Sequence, residues 1–399
     1  MSEIQQPITI AQSEMRAINR SAVLEYLRQN KTASRTELAR RLRFSKPTAM
    51  RIIDELLTAN LVCSAGQKGG GLGRSQELLA LNVQDNLVIG IDLGGSHISG
   101  GIANIGGEIL HKMKKKQSWG DSADNLERVV RFIQELQKEA AKYPGKLLGV
   151  ALGVPGILDS RENLVKLAPA LDWRDFPLLE KLNARIDLPV LVENDVNLAA
   201  MGEHWFGAGQ GVDHLVMIAI GTGIGAGVIL DGKLYRGFRE SSGEIGYLLP
   251  GLQFLGNKYP DFGAFESIAS GKGIAERGQQ GWSDANGGSS ALKKDAEAVF
   301  KAAREHQPWA EKVIGETIEY LTLALANISV TYDPELIIIG GGVAPSIAAS
   351  LPAIQDRLRG VIPFVPRIEV SKLLGDACIL GAVVRVFQKT ADYAVVQTA

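Results

Sequence analysis

Cysteine is nearly absent. The 399-residue chain has two, Cys63 and Cys378, and their separation matches neither a metal-ligand nor a disulfide spacing. Free thiols of that kind fit a reducing cytoplasm. No apolar stretch reaches the roughly 18 residues that a membrane helix needs, and no N-terminal segment joins basic residues to an apolar run. The expectation is a cytoplasmic protein with no membrane partner. The pattern G-x-x-x-x-G-K-[ST] is also missing, which rules out a P-loop. Net charge is close to zero, with 43 Lys and Arg against 44 Asp and Glu.

That balance hides an asymmetry. Residues 1–82 carry twelve basic and seven acidic side chains, a net of +5, while the rest carries 31 and 37, a net of −6. A basic head on an acidic body points to a polyanionic partner for the head alone. Within the head, Ser34-Arg35-Thr36-Glu37 is a capping-box sequence that opens a short helix through Leu42. A tight turn at Arg43-Phe44 leads to Ser45 as N-cap and to Pro47 in the first turn of a second helix. Ala49, Ile52, Ile53, Leu56 and Leu57 then form the stripe of a helix packed on a core. The opposite face shows Lys46, Thr48, Met50, Arg51 and Thr58.

Residues 61–64 and 77–81 pair as a hairpin, and its glycine-rich tip brings Lys68 and Arg74 beside the helices as a wing. Helix, tight turn, polar-faced helix and wing make a winged helix-turn-helix over residues 1–84, whose expected partner is double-stranded operator DNA. Arg51, Thr48 and Lys46 are the candidates for bases or phosphates. Arg35, Lys68 and Arg74 are candidates for phosphates, which position a protein without specifying sequence. One such unit needs a second copy for affinity, so a homodimer is expected. A three-helix protein-interaction module is the alternative.

The body repeats itself. Leu87-Val88-Ile89-Gly90-Ile91 reads as a buried strand ending in Asp92-Leu93-Gly94-Gly95-Ser96, followed by a strand, the Gly106-Gly107 turn and a third strand. Residues 215–220 run likewise into Gly221-Thr222-Gly223-Ile224-Gly225-Ala226-Gly227, a strand, and the Asp231-Gly232 turn. The duplication implies two similar lobes facing across a cleft. Glycine lets backbone amides close on phosphate oxygens with no Cβ in the way. A third turn, Gly340-Gly341-Gly342, suits the base or ribose of a nucleotide. A Rossmann reading of the second loop is weak, because a hairpin follows where a helix should. The cofactor candidates are Asp92, Gly94, Gly95, Ser96, Gly221, Thr222, Gly223, Gly225, Gly341 and Gly342, with ATP and Mg²⁺ as cofactors if the chain is a kinase.

Glu193-Asn194-Asp195-Val196-Asn197 is a strand end passing into a helix over 198–205. Sugar phosphorylation needs a base to take the hydroxyl proton, with positioning and charge neutralisation doing most of the rest. Asp195 fits as that base and Asn194 as the holder of adjacent hydroxyls, with helix capping as the alternative role for both. Residues 112–116 read as a solvated strand end, His97 as structural or solvent-facing, and residues 278–290 as a flexible surface loop.

Together these motifs resemble the ROK family of bacterial sugar kinases and sugar-responsive repressors. Asp92 to Ser96 is similar to its first phosphate motif, which usually ends in Thr. Glu193 to Asn197 is similar to its catalytic segment. Gly223, Gly225, Gly227, Gly237, Gly243 and Gly246 stand in step with its signature, and Gly73-Arg74-Ser75 resembles the wing motif of its repressor branch. The resemblance implies an α/β fold, with an actin-like, two-lobed ATPase body of the ribonuclease H-like kind behind the winged head. Its lobes would span 85–197, completed by a C-terminal helix at about 376–390, and 198–375. It also implies that Glu244, Tyr247 and Glu266 stand with Asn194 at sugar-binding positions.

Departures from the family are equally specific. The family usually places a zinc-binding His after Gly-Glu-x-Gly, followed by a cysteine-rich loop. Here Tyr247 follows Gly243-Glu244-Ile245-Gly246, and residues 248–265 hold no cysteine. Structural zinc needs four N or S ligands, so no zinc or other metal ligand set is expected, and packing through Phe254 and Tyr259 would replace it. Ala170 stands where Asn is common in a sugar-contacting stretch. The expected function is a transcriptional regulator that senses a sugar or sugar phosphate. An ATP-dependent sugar kinase is the alternative, compatible with the first.

Overall fold

The computed structural model describes residues 12–68, 75–259, 263–285 and 295–391. The head is built from α1 (Gln12–Asn30), β1 (Thr32–Ser34), α2 (Arg35–Arg41), α3 (Lys46–Thr58), β2 (Val62–Lys68) and β3 (Gln76–Leu81). Ser34 Oγ accepts from the Glu37 N–H at 3.2 Å, as the capping box requires. The Glu37 carboxylate does not return to the cap. It accepts instead from Tyr26 Oη at 3.1 Å and ties α2 to α1. Ser45 Oγ caps α3 through the Thr48 N–H at 3.3 Å, and Arg43 makes the turn at φ 55°. Ala49, Ile52, Ile53 and Leu56 are buried as the stripe predicts. β2 and β3 pair antiparallel with Val62 opposite Leu81, and β1 adds a third strand with Thr32 opposite Ala80. The wing tip, with Arg74, lies outside the described residues.

The body holds two five-stranded sheets of one plan. The first comes from β4 (Asn86–Leu93), β5 (His97–Asn104), β6 (Ile109–Lys116), α4 (Ser122–Ala140), β7 (Lys146–Val154), β8 (Ile157–Asp159), β9 (Leu164–Ala168), β10 (Trp173–Phe176), α5 (Leu178–Asn183), β11 (Val190–Asn194) and α6 (Asp195–Phe206). Its sheet runs β11-β7-β4-β5-β6, and β8, β9 and β10 form a small separate sheet. The second lobe comprises β12 (Leu215–Ile220), β13 (Ile224–Leu230), β14 (Lys233–Tyr235), α7 (Ala264–Ala269), α8 (Gly271–Ala285), α9 (Ala296–Arg304), α10 (Pro308–Tyr332), β15 (Leu336–Gly340), α11 (Ala344–Ile347), α12 (Leu351–Leu358) and β16 (Arg367–Val370), with α13 (Ala377–Thr390) closing the chain. Its sheet runs β14-β13-β12-β15-β16. Each sheet joins a three-stranded antiparallel meander to two parallel strands, the actin-like arrangement.

Helices cover both faces of each sheet, which is why β4, β7, β12 and β15 are nearly continuous apolar runs. α6 and α13 lie between the sheets, α13 packing on β4 and β7 and α6 on β12 and β13. The two helices cross closely because Gly202 and Gly381 lack side chains. A Cβ at Gly381 would run into the Leu198 carbonyl, and one at Gly202 into the Ala377 carbonyl. The head shares one hydrophobic cluster with them, joining Leu24, Leu27 and Leu56 to Met201, Trp205 and Phe387. Asn86 Nδ2 donates to the Asn60 carbonyl at 2.7 Å and stitches the same junction.

Residues 278–285, expected as a loop, are instead the end of α8, where Gly278 is buried against Val299 and Trp282 meets Trp309 edge-on at 5.8 Å. The glycines that suggested a loop serve close helix packing, and residues 286–290 lie outside the described residues. α10 is long and apolar enough to cross a membrane by length and composition, but half of its most apolar window is buried inside the fold.

Candidate functional site

The cleft begins at the end of β4. Asp92 stands in register with Ser99 of β5, and Ser99 with Lys114 of β6, so the three occupy one row across the sheet. Trp119 Nε1 donates to the Gly94 carbonyl at 2.9 Å and fixes the first glycine turn from behind. Ser96 Oγ lies 3.2 Å from His97 Nδ1, and burial followed by Lys114 lowers that imidazole's pKa. The second loop faces the first, since a Cβ at Gly95 would stand 3.6 Å from Thr222 Cγ2. The third turn touches the second. Val343 N–H donates to the Ile220 carbonyl at 3.0 Å, and Gly341 passes over that residue at φ 81°, where a side chain would be strained.

The glycines do different work. A Cβ at Gly221 or Gly342 would meet nothing within 4 Å, so their backbones are open to a ligand. At Gly223 it would stand 2.8 Å from Glu266 Oε2 and at Gly225 3.0 Å from Val196 Cγ2, so these two are needed for packing.

Asp195 opens α6 at the cleft wall, and its Oδ1 accepts from the Val196 N–H at 2.9 Å. Asn194 is the N-cap: its Oδ1 accepts from the Asn197 N–H at 2.9 Å, and its Nδ2 donates to the Gly156 carbonyl at 3.0 Å. The capping role read as an alternative is therefore present, and a sugar hydroxyl would share Asn194 with it. Glu266 Oε2 accepts from the Ile224 N–H at 2.6 Å and so props the second loop. Tyr247 keeps half of its surface exposed, 52%, and Ala170 is exposed.

Carboxylates dominate the electrostatics. Burial, then the charge of Asp195, push Asp92 up to about 7, against Lys114 and hydrogen bonds with Cys378 and Ser99. Burial raises Asp195 to about 6, opposed by the Val196 amide. Burial, then Asp195 and Glu266, raise Glu244 to about 7. Burial raises Glu266 too, opposed by the Ile224 amide and Lys272, and lifts the Tyr247 phenol with help from Glu244 and Glu266. An acid near neutrality is well matched to taking a proton from a hydroxyl. No group of three or more His, Cys, Asp or Glu suited to a metal gathers among the described residues. Tyr247 follows Gly246 where the family usually has an imidazole. Phe254 packs edge-on against Tyr320 at 5.9 Å, which anchors that loop on α10.

The pairings of the polar contacts that tie the lobes together carry no signal in the sequence. Glu193 is buried and takes Arg236 Nη2 at 2.5 Å from beyond β14, with Arg385 Nε of α13 at 3.6 Å. Nearer the surface, the Ser160 N–H donates to Glu240 Oε2 at 3.0 Å, and the Arg161 guanidinium stacks on Phe238 at 4.9 Å. A clasp thus joins the turn between β8 and β9 to the strand-exit loop of β14. Apart from Glu193, which opens the Glu193–Asn197 motif, each of these polar residues looks along the chain like an ordinary surface group.

On the head, Lys46 and Arg51 project from the outer face of α3, Arg51 Nη1 donating to Glu55 Oε1 at 3.2 Å. Thr48 Oγ1 lies 2.8 Å from Ser45 Oγ, within the cap. Arg35 pairs with Asp54 at 2.7 Å and Glu77 at 3.8 Å, so a phosphate would compete for it. Lys68 ends β2 in solvent.

At the far end of α6, Arg28 of α1 stacks on the Trp205 ring at 4.9 Å, and its Nη1 donates to the Trp205 carbonyl at 3.3 Å. One helix therefore touches the cleft at Asp195 and the head at Trp205.

The ROK family model matches residues 88–389. The xylose repressor of Caldicellulosiruptor bescii is 31% identical over 386 residues, 93% of this chain and 96% of that protein. The glucokinase of Thermotoga maritima is 32% identical over 308 residues, 74% of this chain and 95% of that protein. A solved ROK family transcriptional regulator, a homologue of the E. coli MLC protein, superposes with TM-score 0.81 at 25% identity, covering 95% of this chain and 97% of the other. The Streptomyces griseus ROK family glucokinase, solved with glucose and AMPPNP, gives TM-score 0.64 at 30% identity, covering 76% and 99%. The repressor and the regulator span nearly the whole chain, whereas the kinases match three quarters of it.

Proposed function

The chain belongs to the ROK family, and on that premise we propose that it is a sugar-responsive transcriptional regulator, binding operator DNA through the head and a sugar in the cleft. The observation that carries the reading is α6. Its twelve residues, about 18 Å of helix, start at Asp195 in the cleft, behind the Asn194 cap, and end at Phe206, beside the Trp205 ring under Arg28 of the head. A change in lobe closure that moves α6 changes the platform on which the head stands. The repressor and regulator relatives, which match nearly the whole of this chain, support the same assignment. We place the protein in the cytoplasm as a homodimer whose two heads engage two half-sites.

The cleft favours a neutral sugar over a sugar phosphate. Asp195, Glu244 and Glu266 converge on it, and the arginines nearby are already engaged by Glu193. A phosphate brought among those carboxylates meets like charge. Calorimetric titration with neutral and 6-phosphorylated forms of the same sugars tests this: heat with a neutral sugar alone is expected, and tighter binding of a phosphorylated one would overturn it.

Kinase activity is the second reading, favoured by the first phosphate motif, where Ser96 keeps a hydroxyl, and by the near-neutral Asp195. The facing loops fit a nucleotide, Gly221 and Gly342 presenting open backbone and Asp92 and Thr222 flanking it. ATP with Mg²⁺ would supply the phosphoryl group there. Asp195 would take the hydroxyl proton as the oxygen attacks, and Asn194 would orient the sugar. ADP release from Mg-ATP across a panel of hexoses, amino sugars and pentoses, for wild type and Asp195→Asn, decides it. Turnover with one sugar that is lost in the variant makes the protein bifunctional; no turnover leaves a binding-only sensor.

A further inference from the structure

Between α1 and the outer face of α3 lies an open groove of about 740 Å³, lined among others by Arg16, Arg20, Met50, Arg51 and Glu55. Glu55 bridges the two helices across it. Its Oε2 accepts from Arg16 Nε at 3.0 Å and its Oε1 from Arg51 Nη1 at 3.2 Å. Arg20 follows Arg16 by one helical turn on α1, and its Nε is buried with no hydrogen-bond partner among the described residues. Asp54, the other acid lining the groove, is held by Arg35 at 2.7 Å. Three arginines therefore line the groove while only Arg16 and Arg51 share its Glu55 carboxylate, leaving a surplus of positive charge and an Arg20 N–H with nothing to bond.

Guanidinium groups that outnumber the carboxylates along an open groove leave it positively charged, and that points to an anionic partner that arrives from outside. The partner must be anionic and present several oxygens to planar guanidinium forks, which is the chemistry of phosphate. It must also reach a groove whose far wall is the recognition helix itself. We infer that this groove is a phosphate clamp: Arg16 and Arg20 grip the DNA backbone alongside the major groove that α3 enters. Glu55 is the internal counter-ion that holds Arg16 and Arg51 in place while DNA is absent. This rests on the reading of the head as a DNA-binding module. It adds a second surface for the DNA backbone, on α1, opposite the one that Lys68 supplies from the wing.

Fluorescence anisotropy of the full-length protein on a labelled mixed-sequence duplex, measured over a series of salt concentrations, tests it. Each phosphate that the protein no longer neutralises flattens the plot of log affinity against log salt by about 0.9. Arg16→Ala with Arg20→Ala is expected to flatten it by one to two such steps and to weaken all sequences alike. The pair Arg16→Lys with Arg20→Lys should keep most of the slope, because the charge remains. Glu55→Gln should tighten binding to the same duplex by removing the competing carboxylate. An unchanged slope in the double alanine variant would overturn the clamp. Equal flattening in the lysine and alanine pairs would also overturn it, since the arginines would then act through packing. Weaker binding by Glu55→Gln would overturn the counter-ion role. Wild type that fails to bind any duplex at low salt would sink the DNA-binding reading itself, a result distinct from all three.

Discussion

Asp92→Asn is expected to stabilise the unliganded protein above neutral pH while changing little near pH 4. Burial and the neighbouring Asp195 raise the Asp92 carboxyl from an ordinary 3.8 to about 7. Its folded pKa lies above its unfolded one, so the folded state holds the extra proton between about pH 4 and 7. Stability therefore falls as pH rises through that window, and the full cost is present above it. Taken at face value, the displacement corresponds to about 4 kcal/mol at 1.36 kcal/mol per pH unit. Asp92 is only partly buried at the cleft wall, so solvent screens the charge, and ~2 kcal/mol is the effect to expect. Asparagine keeps the size and offers an oxygen to Ser99 and Cys378 but carries no charge. Urea denaturation of both proteins near pH 8 and near pH 4 measures it. A gain confined to the higher pH is expected; an equal shift at both, or a loss near pH 8, would refute the assignment of a strained carboxylate.

Other consequences are as direct. Arg51→Ala should cost about 1–3 kcal/mol of operator binding and leave sugar binding intact; equal DNA affinity in both proteins would remove Arg51 from the recognition surface. Metal analysis of purified protein should find no stoichiometric zinc, because Tyr247 replaces the imidazole and residues 248–265 lack cysteine; a tightly held zinc ion would refute that. Gly381→Ala drives a methyl group into the Leu198 carbonyl on α6. It should destabilise by about 1–3 kcal/mol and uncouple DNA binding from sugar before sugar binding itself is lost, as titrations of the variant with each ligand would show.

Much of this architecture is legible in the chain. The duplicated strand–loop–strand plan appears as two matching sheets because local periodicity and turn glycines decide those elements. Ser45, Pro47 and the stripe from Ala49 to Leu56 likewise place α3 without help from tertiary contacts. α1 leaves no such signal: among its described side chains the fully buried apolar ones are Val23, Leu24 and Leu27, short of a recognisable stripe. The glycines at 278 and 281 suggest a loop because sequence cannot show Val299 and Trp309 packing against them. The site divides in the same way. Asp92, Asp195 and the facing loops follow from motif and position, whereas Lys114, Trp119 and the Glu193–Arg236–Arg385 group depend on strands distant in sequence. Arg16 and Arg20 belong to the second kind, since nothing near them in the chain announces Glu55.

The measurement to make first is the affinity of the full-length protein for its operator, found by selection from random duplexes, as each of a panel of neutral pentoses and hexoses is added. One neutral sugar should change that affinity at least about tenfold, equivalent to a coupling of about 1.4 kcal/mol. Trp205→Ala should abolish the change while still binding the sugar. DNA affinity indifferent to every sugar, in a protein that nonetheless turns over ATP, would mean that the cleft is a kinase site and that α6 carries no signal to the head.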